Sequence, residues 1–376
     1  MFNRTGPNRQ FSRLDPNNGA VYRVVVIGDT RAMTTESAAL AAILVEAPSL
    51  ATEVVAGAIE TQFGLVGEFS PLVSERDQNF LLRTGTGERY VAKVTSGAED
   101  AAVTDFQIGG LLHLEKAANV LVPRVYRTLA GAASGHIADG KGACRLRVVT
   151  WVNGEPLESQ PLDTATSGRF GRALARLDAG LAAYSHPGEN PPLLWDLQRT
   201  VELRDLIENI TDCSVRDSVA SVFDDFEKQV LPVLGTLRAQ VIHADANPGN
   251  ILLADEGIGF IDFGDMMKAP LVFDVAIAAS YLRVFEADPL QFMVPFVEAY
   301  HSITPLNKLE AGLLFDLVRA RLAMTVTLLY WRLGARSEDD PYRQKALDAE
   351  SGAERYLALL DSLGRTAFRQ KLDFIQ

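Results

Sequence analysis

Gln240-Val241-Ile242-His243-Ala244-Asp245-Ala246-Asn247-Pro248-Gly249-Asn250-Ile251-Leu252-Leu253-Ala254-Asp255-Glu256-Gly257-Ile258-Gly259-Phe260-Ile261-Asp262-Phe263-Gly264-Asp265 decides how this chain is read. Apolar Val241-Ile242 gives way at once to His243, Asp245, Asn247 and Asn250, and Pro248-Gly249 forces an irregular loop between them. Ile251-Leu252-Leu253 resumes a strand, Asp255-Glu256-Gly257 makes a hairpin turn, and Gly259–Ile261 returns as the next strand. In so short a hairpin the residues before Ile251 and after Ile261 meet at one open end, which places Asn250 beside Asp262. An amide oxygen and a carboxylate are hard ligands that suit Mg2+ shared with substrate phosphates. Asp245, earlier in the loop, lies nearby without serving as a ligand and is free to accept a hydroxyl proton. Metal-bridged phosphates and a group that orients the nucleophile are the parts phosphoryl transfer needs.

The rest of the chain is consistent with a globular protein. Its 376 residues are 47% apolar and 22% charged, enough for two or three lobes with a sizeable core. Thirty-six basic against 48 acidic residues give −12, a poor composition for nucleic-acid binding. No run approaches the roughly 20 apolar residues of a membrane span, and no secretory signal is present. Two cysteines, Cys144 and Cys213, make neither a disulfide framework nor a zinc site, and the expected location is the cytoplasm. His113, His136, His186 and His301 lack metal-ligand spacing.

Residues 1–32 differ in texture. They carry five Arg and two Asp, leaving −15 on the remainder, and are rich in Asn, Pro and Gly. They read as an over-long start or a disordered tail ahead of Met33, with an Arg-rich presequence as the alternative. Residues 33–152 form the first lobe, with short strands at Leu65–Leu72, Gln78–Arg83, Arg89–Val94, Val122–Arg127 and Arg145–Trp151 around a helix at Ala101–Ala118. Ala130–Gly142 reads as a small, Gly-rich connection. Residues 153–376 are mainly helical, with patterns at Thr166–Ala183, Val219–Val230, 271–288, 290–300, 307–334 and 350–364.

His243-x-Asp245-x-x-x-x-Asn250, twelve residues before Asp262-Phe263-Gly264, resembles the catalytic and metal loops of the aminoglycoside phosphotransferase and choline kinase group. The resemblance implies an α+β, protein-kinase-like fold with a small antiparallel-sheet N-lobe and a larger helical C-lobe. It makes Asp245 the catalytic base and Asn250 and Asp262 the metal ligands, with His243 bracing the loop. Asn247 takes a structural or substrate role, and Asp265 supports the metal site or caps the segment after it. Tyr90-Val91-Ala92-Lys93-Val94 then supplies the phosphate-holding lysine, Lys93, since a lysine in an apolar strand needs a charged partner. The turn from Ser74 to Asp77 stands where a kinase has its Gly-rich loop but lacks G-x-G-x-x-G, so its backbone amides must cover the phosphates. Taken alone it is a polar hairpin turn. The helix position expected to orient Lys93 holds Gln107 in place of glutamate, with Asp105 as an alternative. Thr150–Val152 is expected to meet adenine through backbone groups.

Ser74-Glu75-Arg76-Asp77-Gln78-Asn79-Phe80, Asp105-Phe106-Gln107, Trp195-Asp196-Leu197, the Ala244-Asp245-Ala246-Asn247 form of the loop and Arg319-x-Arg321-Leu322-Ala323 resemble the hydroxylysine kinase-like branch. The likeness spans about residues 55–365. It implies ATP, or alternatively GTP, with Mg2+, and a small hydroxylated amine or amino acid as acceptor, hydroxylysine first. Homoserine, choline, ethanolamine and aminoglycosides are alternatives, as is a silent nucleotide-binding pseudokinase. Trp195 is a core residue or a substrate wall, and Asp196 can cap a helix at Leu197. Arg319 and Arg321, two apart on a helix, point different ways, one to hold a substrate carboxylate and the other to solvent. A protein kinase is disfavoured because Asp262-Phe263-Gly264 runs directly into Pro270–Leu282 with no Ala-Pro-Glu.

Overall fold

A computed structural model describes residues 47–74, 76–116, 120–334 and 341–375, with side chains left aside at 341–351. The expectations for residues 1–32, for Met33 as a start and for Glu75 therefore lie outside the described residues.

Alternation along three strands builds the N-terminal sheet. In β2 (Asp77–Thr84), β3 (Arg89–Thr95) and β6 (Ala143–Thr150), one face buries Phe80, Leu82, Tyr90, Ala92, Val94, Cys144, Leu146 and Val148. Helix α1 (Thr52–Phe63) lays Val55, Ile59 and Phe63 on that face. The period of two sends Lys93, Arg147 and Val149 to the other face, toward the rest of the molecule. The sheet runs β1 (Gly67–Leu72), β2, β3, β6, β4 (Val125–Tyr126), all antiparallel, and Lys93 lies opposite Arg147 in the β3–β6 register. A further strand, β5 (Gly135–Ala138), pairs with β6 inside the segment read as a Gly-rich connection. Its Ile137 is buried in the same core and pairs with Cys144.

Helix α2 (Ala101–Leu114) is N-capped by Asp100, whose Oδ1 accepts from the Ala102 N–H at 2.9 Å, and ends four residues short of the expected Ala118. Beyond β7 (Glu155–Pro156), the helical part contains α3 (Thr164–Leu181), α4 (Cys213–Gln229), α5 (Leu271–Ala279), α6 (Met293–His301), α7 (Lys308–Gly334) and α8 (Pro341–Gln370), which kinks at Gly364. Leu197–Asn209 is a run of 3₁₀ turns capped by Asp196, as the Trp195-Asp196-Leu197 reading anticipated. Helix α7 is buried on nearly every side, so its apolar residues show no stripe. β8 (Ala239–Ile242) pairs with β11 (Met267–Pro270), and the hairpin β9 (Ile251–Ala254)–β10 (Gly257–Phe260) stands between them in sequence. The pattern read as one helix over 271–288 stops at Ala279. No helix among the described residues is long and apolar enough to cross a membrane, and both cysteines are free.

Helices α3 and α6 approach so closely that a Cβ on Gly171 would lie 2.0 Å from the Phe296 carbonyl oxygen. Gly171→Ala should therefore cost about 1–3 kcal/mol, the usual range for overpacking, read as a lower urea midpoint. An unchanged midpoint would show that the pair can separate freely.

Candidate active site

Asp274, in the first turn of α5, is fully buried, and its carboxylate takes the backbone of the polar loop. Its Oδ2 accepts from His243 N–H at 3.0 Å and its Oδ1 from Ala244 N–H at 2.8 Å. These two bonds hold Ala244 at φ 63°, a left-handed position that a non-glycine residue rarely adopts. Asp178 of α3 lies beside Asp274 and accepts from Tyr300 OH at 2.5 Å. Burial, then the charge of Asp274, raises the Asp178 carboxyl well above the ordinary range.

The imidazole of His243 joins the two loops. Its Nδ1 accepts from the Asp245 N–H at 3.3 Å, and its Nε2 lies 3.1 Å from the Ile261 carbonyl, which requires the proton on Nε2. The ring is wedged edge-on to Phe263 at 4.8 Å. His243 thus braces the loop, in the manner the sequence suggested.

The backbone turn brings Asp245, Asn247 and Asn250 together. Asp245 Oδ2 accepts from Asn247 Nδ2 at 3.0 Å and from Asn250 Nδ2 at 2.8 Å, while Oδ1 faces Arg321 Nη2 at 3.8 Å. Asn250 pairs with Ile261 across the hairpin mouth, its carbonyl accepting the Ile261 N–H at 3.0 Å, so Asp262 comes next on the neighbouring strand end. Asp262 is also left-handed, with φ 57°. Because the Asn250 amide gives its nitrogen to Asp245, its oxygen points away from that carboxylate.

Burial, reinforced by Asp265, pushes Asp245 up to about 7 against the pull of Arg321. Lys93 does the opposite to Asp262, holding it at about 2 despite burial. Lys93 Nζ lies 3.4 Å from Asp262 Oδ1 and 3.6 Å from Asp77 Oδ2. Asp262 is thus held ionised, while Asp245 is raised toward neutrality. A divalent cation held by Asp262 would draw Asp245 back down.

Gln107 does not orient Lys93. Its Oε1 accepts from Arg147 Nη1 at 2.8 Å and its Nε2 donates to the Gly264 carbonyl at 3.0 Å. The reason is the cross-strand position of Arg147, which also binds Thr95 Oγ1 at 2.8 Å and Asp77 Oδ2 at 3.2 Å. Asp77 is the carboxylate shared by Lys93 and Arg147, and Asp105 pairs with Arg145 instead. Arg147 was missed, although an arginine inside an apolar strand carries the same signal as Lys93.

Ser74 Oγ accepts the Asp77 N–H at 3.3 Å and so tightens the turn. Arg76 crosses to the other lobe, where it forms an ion pair with Asp265 and lies 5.4 Å over the Trp195 ring. The Thr150 N–H is spent on the Arg124 carbonyl at 2.9 Å, and Val152 is buried. A small pocket of about 50 Å³ opens behind Lys93, bounded by Leu111, Arg147, Val149 and Asp262, and neither Thr150 nor Val152 lines it.

Arg319 and Arg321 part company differently than expected. Arg319 is not solvated: buried, it binds Asp225 at 2.7 Å and Asp361 at 2.6 Å, an ion network tying α7 to α4 and α8, away from the loop. Arg321 points at Asp245, donating to the Trp195 carbonyl at 3.1 Å and to Tyr281 OH at 3.4 Å. Among the described residues, Arg321 Nε and Trp195 Nε1 are buried donors with no acceptor.

Among the described residues, no cluster of three or more His, Cys, Asp and Glu could hold a metal alone. Two oxygens, from Asn250 and Asp262, fit an ion that takes its remaining ligands from phosphate and water.

A family model described as "Phosphotransferase enzyme family" (APH) matches residues 68–312. Hydroxylysine kinase of Mus musculus is 26% identical over 340 residues, covering 83% of this chain and 89% of the relative. That of Danio rerio is 25% identical over 334 residues, covering 85% and 93%. Among solved structures, an amicoumacin kinase in complex with AMP-PNP and Ca2+ superposes with a TM-score of 0.65 at 16% identity, covering 85% of this chain and 97% of its own. A microcompartment-associated aminopropanol kinase gives 0.61 at 19%, covering 86% and 98%. These likenesses identify the two-lobed kinase-like fold.

Asp274→Ala should strand two buried N–H groups, each costing about 1–3 kcal/mol. Amide hydrogen exchange should rise sharply at 243–246. Wild-type protection there would mean that other contacts hold the loop.

Proposed function

Since the chain belongs to the APH phosphotransferase enzyme family and is a small-molecule kinase, we propose that it moves the γ-phosphoryl group of ATP to the hydroxyl of a small hydroxy-amino acid, hydroxylysine first. The observation that carries this reading is the pairing of Asp245 and Arg321. One presents a carboxyl raised to about 7, and the other a buried cation that holds the Trp195 carbonyl, each of Arg321 and Trp195 keeping one buried side-chain N–H without an acceptor. A substrate carboxylate supplies the acceptor those donors lack. A plain amino alcohol such as ethanolamine does not, which favours the amino acid among the alternatives.

Asp245 Oδ1 receives the acceptor hydroxyl proton as that oxygen forms its bond to the γ-phosphorus. The bond from phosphorus to the β–γ bridging oxygen breaks, and its electron pair leaves with the diphosphate. Asn247 and Asn250 hold Oδ2 so that Oδ1 stays aimed at the acceptor. Lys93 keeps Asp262 ionised and stands where it can meet phosphate oxygens. Asn250 and Asp262 would hold Mg2+, which would supply neutralisation of phosphate charge. Within Thr150–Val152 the N–H groups of Thr150 and Trp151 are engaged by the Arg124 and Arg89 carbonyls, so the backbone of Val152 is the proposed adenine contact. The proposed lobes are residues 33–152 for the nucleotide and 153–376 for catalysis and the acceptor.

Two measurements test this reading. Asp245→Asn should lower kcat by roughly 10²–10⁴-fold, the range of a general base, while AMP-PNP affinity stays near wild type. Retention of wild-type turnover would remove Asp245 from the role of base. Wild-type enzyme should prefer hydroxylysine over its carboxamide by ~10-fold or more in kcat/KM, and Arg321→Ala should erase the preference. A preference that survives in the variant would place the carboxylate elsewhere.

A further inference from the structure

The turn between β1 and β2 contains no glycine from Val73 to Gln78, so its backbone has little freedom to wrap phosphate oxygens closely. It carries Arg76 instead. The guanidinium reaches across the cleft to the Asp262-Phe263-Gly264-Asp265 segment, ion-paired with Asp265 and resting 5.4 Å over Trp195. A Cβ on Gly264 would meet Arg76 Nη2 at 3.4 Å and Asp262 Oδ1 at 3.1 Å, so the guanidinium lies directly against the metal-binding strand end.

The charge of the centre explains why a cation is needed there. Lys93 is engaged by Asp262 and Asp77, and Arg147 by Asp77, Gln107 and Thr95. Among the described residues, Arg76 is the cation of this part of the cleft whose side chain is anchored by a carboxylate and an aromatic face while a third of it stays open to solvent. An arginine fixed in this way has spent its ordering cost before a ligand arrives, and its planar fork still offers N–H groups to a second anion.

We propose that Arg76 is a γ-phosphate-binding residue, held ready by Asp265 and Trp195, and that it takes the part a Gly-rich loop plays through its backbone. The proposal rests on the reading of the cleft as a nucleoside triphosphate site. It assigns Asp265 and Trp195 a common task, the aiming of Arg76, which neither a helix cap nor a core tryptophan would have. During transfer the guanidinium donates to the equatorial oxygens of the phosphoryl group, where charge gathers.

The test separates the γ-phosphate from the rest of the nucleotide and from the acceptor. Calorimetry with Mg2+ would give the ratio of AMP-PNP to ADP affinity for wild type, Arg76→Ala and Arg76→Lys, each checked by thermal melting. The ratio should fall by ~10-fold or more in Arg76→Ala, the loss of a charge-assisted bidentate contact, with ADP affinity unchanged. Arg76→Lys should recover only part of it. In turnover, kcat of Arg76→Ala should drop by roughly 10²-fold or more and rise again with added guanidinium. An unchanged ratio overturns the proposal. So does a fall in acceptor KM at constant kcat, which would mark Arg76 as an occupant of the acceptor's cation site. Failure of wild type to bind either nucleotide would instead sink the ATP reading itself, and a wild type that binds nucleotide but phosphorylates no hydroxy-amino acid would sink only the choice of acceptor.

Discussion

Two backbone amides on one buried carboxylate set the geometry of this protein. Asp274 takes the N–H groups of His243 and Ala244, and this pins the chain through a left-handed residue immediately before Asp245. Without that anchor the loop has no reason to leave strand geometry where it does, and Asp245, Asn247 and Asn250 would not converge. The anchor is itself enclosed by α3 and α6 through Asp178 and Tyr300, whose close packing depends on Gly171. Helices α3 and α6 therefore fix where Asp245 stands.

Two carboxylates of one cleft are driven apart by their neighbours. Lys93 keeps Asp262 ionised at about 2, whereas Asp245, which faces Asp265 and a more distant Arg321, rises to about 7. That divergence gives the two carboxylates distinct proton affinities within one cleft. It also gives a reason for the sheet: the period of two in β3 and β6 delivers Lys93 and Arg147 to the cleft face while their apolar neighbours bury against α1.

The loop and hairpin from 240 to 265 could be read from sequence because their determinants are local, namely consecutive polar residues, Pro248-Gly249 and a tight turn. The same holds for Lys93, a charge inside an apolar strand, and for Asp196 as a cap. Long-range partners were not legible. Nothing near Gln107 announces that Arg147 will claim it from another strand, and the spacing of Arg319 and Arg321 shows only that they diverge. Burial of α7 on all sides then turned the expected solvated arginine into the centre of an ion network. Asp274 lies in an apolar run and gave no signal of its own, since its partners are backbone amides. The short strand Gly135–Ala138 was hidden because Gly-rich flanks surround a single apolar residue, Ile137, which pairs with Cys144.

Direct transfer between nucleotide and acceptor is best watched by ³¹P NMR on the full chain with ATP, Mg2+ and hydroxylysine. A new phosphomonoester signal should grow in step with ADP, one for one, with no inorganic phosphate and no phosphorylated protein. ADP accompanied only by inorganic phosphate, or a phosphoryl group trapped on the protein, would contradict a cleft in which Asp245 delivers the acceptor hydroxyl straight to the γ-phosphorus.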